Sequence, residues 1–110
     1  MSKKRIHIPS LTGGFQEDKD LARRLRTQEL LPYLEAGNDV VLDFKDVSYA
    51  TQSFIHALIG EALKRYDDKV LESIEFQHCS VQLQSVIELV VDYMLGGFII
   101  NGNDGEAAST

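Results

Sequence analysis

The sequence predicts an α/β fold in which a single sheet packs against helices. Short apolar runs of strand length alternate with longer segments whose apolar residues recur at helical spacing, in the order β-α-β-α-β-α. That alternation implies a layered α/β structure. A chain of 110 residues with 44 % hydrophobic side chains suits one domain with a buried core. Residues 1–100 read as that domain, and residues 101–110, "NGNDGEAAST", as a flexible polar tail.

Residues 4–8 form the first strand, with Ile6 and Ile8 on one side and Arg5 and His7 on the other. Pro9 and Gly13-Gly14 turn it into a loop. Residues 17–36 read as helix, with Asp18 and Asp20 near the start and Arg23, Arg24 and Arg26 further on, as the helix dipole favours. Pro32 predicts a kink, or a first helix ending near Leu30 and a new turn beginning at the proline. Gly37-Asn38 ends the segment.

Residues 39–44, "DVVLDF", carry the unbroken run Val40-Val41-Leu42 expected of a strand covered on both faces. Residues 45–50 continue it irregularly, with Val47 and Tyr49 directed inward. Residues 52–66 form the second helix: Phe54, Leu58 and Ala62 share one line, and Ile55, Ile59 and Leu63 the next. Asp67-Asp68 breaks it, and residues 70–78 read as the third strand, alternating at Ile74 and Phe76. Residues 81–95 form the third helix between a Ser80 N-cap and a Gly96 C-cap. Phe98–Ile100 reads as a short edge strand through which two copies could pair as a homodimer.

The charge excludes several functions. Residues 1–26 hold seven of the eleven basic groups and three acidic ones, a balance of +4, whereas residues 27–110 carry −10. The acidic remainder repels polyanions, so no nucleic-acid partner is expected. No run of roughly 18 apolar residues is present, so no membrane partner is expected either. The N-terminus lacks the apolar stretch of a secretory signal, and the lone Cys79 cannot form an internal disulfide, which together favour the cytoplasm.

Motifs for common chemistry are missing. Neither phosphate-cradling glycine loop occurs, nor the Gly-x-Ser-x-Gly elbow, and no cofactor is implied. His7, His56 and His78 lack ligand spacing, and His78-Cys79, adjacent on a strand, would point to opposite faces, so no metal site is expected. Cys79 precedes a helix that would lower its pKa if the thiol were free, but a small buried apolar side chain explains it better. Asp43 and Asp46 follow a strand like a catalytic pair, without a base or nucleophile beside them in sequence. The cluster Thr51-Gln52-Ser53 opens a helix, where a hydroxyl either caps the free N–H groups or offers a phosphorylation point.

Around that cluster, "VVLDFKDVSYATQSFIHALIGEAL", Val40 to Leu63, resembles the central segment of STAS domains, the fold of sulfate transporters and anti-sigma-factor antagonists. More closely, Leu42-Asp43-Phe44, Val47 and Ser53-Phe54 before an amphipathic helix resemble small bacterial STAS-like domains of unknown function. The likeness is close over residues 40–63 and looser over 20–95. Aligned on Asp43 and Val47, the family's Asp-Ser-Ser-Gly falls on Thr51, Gln52, Ser53 and Phe54. Gln52 stands where the antagonists' phosphorylated serine lies and accepts no phosphate, which leaves Ser53 or Thr51 for that role.

The resemblance implies a non-enzymatic regulatory module in signalling. It implies a protein partner, a histidine-kinase-type ATPase, bound through Thr51, Gln52, Ser53 and Phe54, with Ser53 as the candidate phosphorylation site. The alternatives are an anion- or nucleotide-sensing domain and a small enzyme using Asp43, Asp46 and Ser53.

Overall fold

A computed structural model describes residues 2–10 and 13–96. The expected edge strand at Phe98–Ile100, with the homodimer built on it, and the expected tail 101–110 lie outside the described residues. Strands β1 (Lys3–His7), β3 (Asp39–Asp43) and β5 (Ile74–Gln77) form one parallel sheet with β3 in the middle. Two very short strands, β2 (Phe15–Gln16) and β4 (Tyr49–Ala50), pair in parallel apart from it. Between the strands run α1 (Lys19–Leu25), α2 (Leu31–Glu35) and α3 (Gln52–Tyr66), and α4 (Val81–Met94) follows β5. The α/β order read from the sequence is therefore present, with the small β2–β4 pair added to it.

Register sorts the side chains. Ile6 lies opposite Leu42, which lies opposite Phe76, and Val40 lies opposite Ile74. These positions join the core with Leu25 and Leu30 from the first helical segment, Phe54, Leu58 and Leu63 of α3, and Leu83 and Ile87 of α4. The other face carries Lys3, Arg5, His7 and Glu75, all exposed. Val41 sits on that face between Arg5 and Glu75, is 1 % exposed, and stands outside the main hydrophobic cluster. The unbroken apolar run of β3 predicted a strand covered on both faces, and Val40, Val41 and Leu42 are all buried. Among the described residues, helices pack on the Val40/Leu42 face, and long charged side chains flank Val41 on the other, where apolar stems can shield it.

The first helical segment is continuous through Pro32. Asp18 caps it, its Oδ1 accepting from the N–H groups of Asp20 (3.0 Å) and Leu21 (3.1 Å). Residues Arg26–Leu30 form a π-helical turn in which the Leu31 N–H reaches the Arg26 carbonyl. The wider turn absorbs a proline that supplies no N–H to the ladder, so no break occurs. Gly37, at φ +86°, then makes the left-handed exit that a side chain would resist.

The β2–β4 pair rests on Gly14. Its carbonyl accepts from the Ser48 N–H (2.8 Å), and a Cβ there would lie 2.5 Å from Ser48 Oγ. Gln16 is fully buried, donates through Nε2 to the Pro9 carbonyl (2.6 Å), and accepts the Asp18 N–H through Oε1 (2.9 Å). It ties the loop after β1 to the start of α1. Val47 is buried as expected. Tyr49, expected to point inward, is 41 % exposed and stacks on Phe15 with ring centroids 5.6 Å apart. The neighbouring Ala50 fills the inward position instead.

Candidate functional site

The corner from β4 into α3 is built by its cap. Thr51 has extended backbone, and its Oγ1 accepts the Phe54 N–H at 3.1 Å. Its own N–H is held by the Gln16 carbonyl at 3.1 Å, which fixes the entry angle of the chain. Gln52 and Ser53 follow in the first turn, both exposed. Phe54, the fourth expected contact residue, is fully buried in the core beneath the corner and offers no surface of its own there. Thr51 acts as the cap, and Gln52 and Ser53 are the two side chains of the cluster that face outward.

Beside them opens a cavity of about 610 Å³, walled by Lys19, Arg23 and Arg26 on one side and by Gln52, Ser53 and His56 on the other. Arg23 pairs with Asp20 on its own helix. Arg26 Nη1 donates to the Ala57 carbonyl at 3.2 Å, while its Nε is closed off and has no hydrogen-bond partner among the described residues. Among the described residues neither Lys19 nor Arg26 forms an ion pair. None of this basic wall belongs to the cluster that drew notice in the sequence. Lys19, Arg23 and Arg26 at i, i+4 and i+7 share a helix face, which is the pattern that points to it.

A second group of charges lies at the C-terminal ends of the strands. Asp43, 7 % exposed, accepts from Arg5 Nη1 (2.9 Å), from His78 Nδ1 (2.9 Å) and from the Lys45 N–H (3.0 Å). The His78 hydrogen bond, followed by those from Lys45 and Arg5, holds this carboxyl below the ordinary carboxylate range although burial works the other way. His78 takes φ +61°, the left-handed region that a histidine seldom occupies, at the residue that carries this bond. Asp46 pairs separately with His7 Nε2 at 2.9 Å. The partners of Asp43 stand 38 and 35 residues away in the chain, so only the strand register brings them together.

Of the residues named for the alternative enzyme site, Asp43 and Asp46 have different partners, Arg5 and His78 for the first and His7 for the second, and Ser53 borders the cavity beside α1. The Cys79 thiol is pushed up by burial and by the Asp43 charge, the reverse of what a reactive thiolate needs. It packs half-buried against the core. Among the described residues no three His, Cys, Asp or Glu side chains converge as metal ligands, and no helix is long and apolar enough to cross a membrane.

Residues 22–84 match the family described as a STAS-like domain of unknown function. The matched span runs from α1 into the first turn of α4 and holds β3, the corner at Thr51–Ser53, α3 and β5. Neither the curated proteins nor the solved structures provide a significant match.

Proposed function

The chain belongs to the family of STAS-like domains of unknown function, and from that premise we propose that it is a non-enzymatic regulatory module that docks a protein partner through the corner between β4 and α3. The observation that carries this reading is the presentation of Gln52 and Ser53. Two exposed polar side chains stand at the start of a fifteen-residue helix whose entry is fixed by the Thr51 cap and whose underside is anchored by Phe54. A contact surface gains from such rigidity, because little conformational freedom is lost on binding. The basic wall beside it suits an acidic partner surface. A histidine-kinase-type ATPase is the partner class proposed, on the likeness of the Val40–Leu63 segment to antagonist domains.

The proposed contact does not depend on transferring the antagonists' phosphoserine, since Gln52 occupies that place. Affinity capture from the source cell with wild type and Gln52→Arg tests the surface. A partner retained by wild type and lost by Gln52→Arg is the expected result. Equal capture by both chains would move the docking surface elsewhere.

A further inference from the structure

We propose that the groove between β5 and α4 is a binding site for a small organic cation, an amine carried on an apolar body. The groove shares no lining residue with the cavity at the corner, so this site is separate from the docking surface. Its floor follows from the sheet. Ile6, Leu42 and Phe76 lie side by side across β1, β3 and β5. Ile6 and Leu42 are buried, but β5 is an edge of the sheet among the described residues, and Phe76 is only half-buried. The apolar row of the core therefore continues outward into an open space of about 540 Å³. Leu71, from the 3₁₀ turn Asp67–Glu72, and Ile87 and Val91, one turn apart on α4, complete its apolar lining. Apolar surface that faces water favours an apolar body over it, and the volume falls within the range of about 300–1,000 Å³ typical of small-molecule sites.

The polar groups choose the sign of the ligand's charge. Glu88 and Asp92, at i and i+4 on α4, both line the groove, and no lysine or arginine does. Neither carboxylate forms an ion pair among the described residues. Like charges at this spacing repel. Asp92 also stands in the last turn of α4, where the helix dipole favours a cation, and that turn carries no basic side chain. A cation at the two carboxylates relieves both effects. The other polar groups of the lining are already engaged: His78 Nδ1 with Asp43 at 2.9 Å, and Gln84, which donates to the Cys79 carbonyl at 3.0 Å. The Cys79 thiol, pushed up by burial and by the Asp43 charge, adds a neutral polarisable surface. A bare metal ion fits poorly, because among the described residues no three ligating side chains converge and much of the lining is apolar. An ammonium group answers the carboxylates while its hydrocarbon body covers Phe76.

The test is a titration of the isotope-labelled full chain with two probes of the same body and opposite charge, phenethylamine and hydrocinnamate, followed by amide spectra at neutral pH. Saturable shifts at Phe76, Cys79, Ile87 and Val91 are expected, with the amine bound at least about tenfold more tightly than the acid. Glu88→Gln and Asp92→Asn, both at exposed positions, should each weaken the amine by about two- to fivefold, and the double variant should bind both probes alike. Val91→Ala, at a half-buried position, should weaken both probes equally, by about threefold. Charge and apolar surface are thereby read separately, and unfolding midpoints of the variants distinguish lost binding from lost fold. The absence of a saturable response to either probe would overturn the proposal and leave the groove to a protein segment. Equal binding of the two probes by wild type would overturn it as well, because the carboxylates would then select nothing.

Discussion

Asp43 shows how much one side chain can concentrate. It ends the central strand, and its carboxylate is satisfied by Arg5 from one neighbouring strand, by His78 just beyond the other, and by the Lys45 N–H of its own turn. Its pKa is lowered in the fold, with the His78 bond the leading cause. An unfolded aspartate takes up its proton near pH 4 (about 3.9), and the folded one only at lower pH. In that window the unfolded chain binds more protons, so stability falls with acidification. The contribution is complete at neutral pH and is lost as pH drops through the folded value. Asp43→Asn is therefore expected to lower the unfolding midpoint at pH 7, with the gap to wild type closing in acid. Thermal unfolding of both chains across a pH series measures this. A gap that is the same at every pH would mean that the carboxylate's charge is not what holds the strand ends together.

Among the elements, α3 was the most legible and the segments before it the least. The Phe54/Leu58/Ala62 line and the Thr51-Gln52-Ser53 start placed this helix at residues 52–66, where it stands. A long amphipathic pattern with a cap is a local signal, and local physics writes it into the chain. Residues 70–78 read as one strand, yet only Ile74–Gln77 pair, and Asp67–Glu72 coil as a 3₁₀ turn with Val70 turned into the core. Apolar alternation cannot separate a short strand from a short turn that also buries one residue. The β2–β4 pair was invisible because two residues carry no period, and it exists through Gly14 and Ser48, which lie 34 positions apart. The candidate site divides in the same way: Thr51, Gln52 and Ser53 stood out as a cap, while the basic wall opposite comes from another helix. The cap itself gives an element-level prediction. Thr51→Ala removes the acceptor for the Phe54 N–H and should cost about 1 kcal/mol. Ser53→Ala, with an exposed side chain that caps nothing, should stay within about 0.5 kcal/mol of wild type. Chemical denaturation of the two variants distinguishes them, and equal losses would mean that Thr51 is not the residue that fixes the corner.

At the scale of the whole molecule, the site and the core share one residue-wide boundary. α3 lies between α1 and α4 and packs on both. Gln52 and Ser53 on its first turn face solvent, while Phe54 and Ile55, next in the chain, are fully buried. The proposed contact surface is thus backed directly by the core, and any disturbance of that core reaches it. Phe54 touches the cluster that also holds Ile6, Leu42 and Leu83, drawn from both ends of the chain. Replacing it by alanine removes a large side chain from a site with no solvent access, which costs about 3–5 kcal/mol in transfer and cavity terms. Set against a total of about 5–15 kcal/mol for a typical domain, that loss should be felt everywhere at once. Unfolding of Phe54→Ala, followed by far-ultraviolet circular dichroism and by tyrosine fluorescence, is expected to give one coincident transition at much lower denaturant than wild type. The four tyrosines report from separate positions along the chain, so coincidence means that the sheet and helices melt as one unit. If instead the fluorescence transition shifted and the dichroism transition held, the corner would be a separately melting patch, and its rigidity could not come from the core.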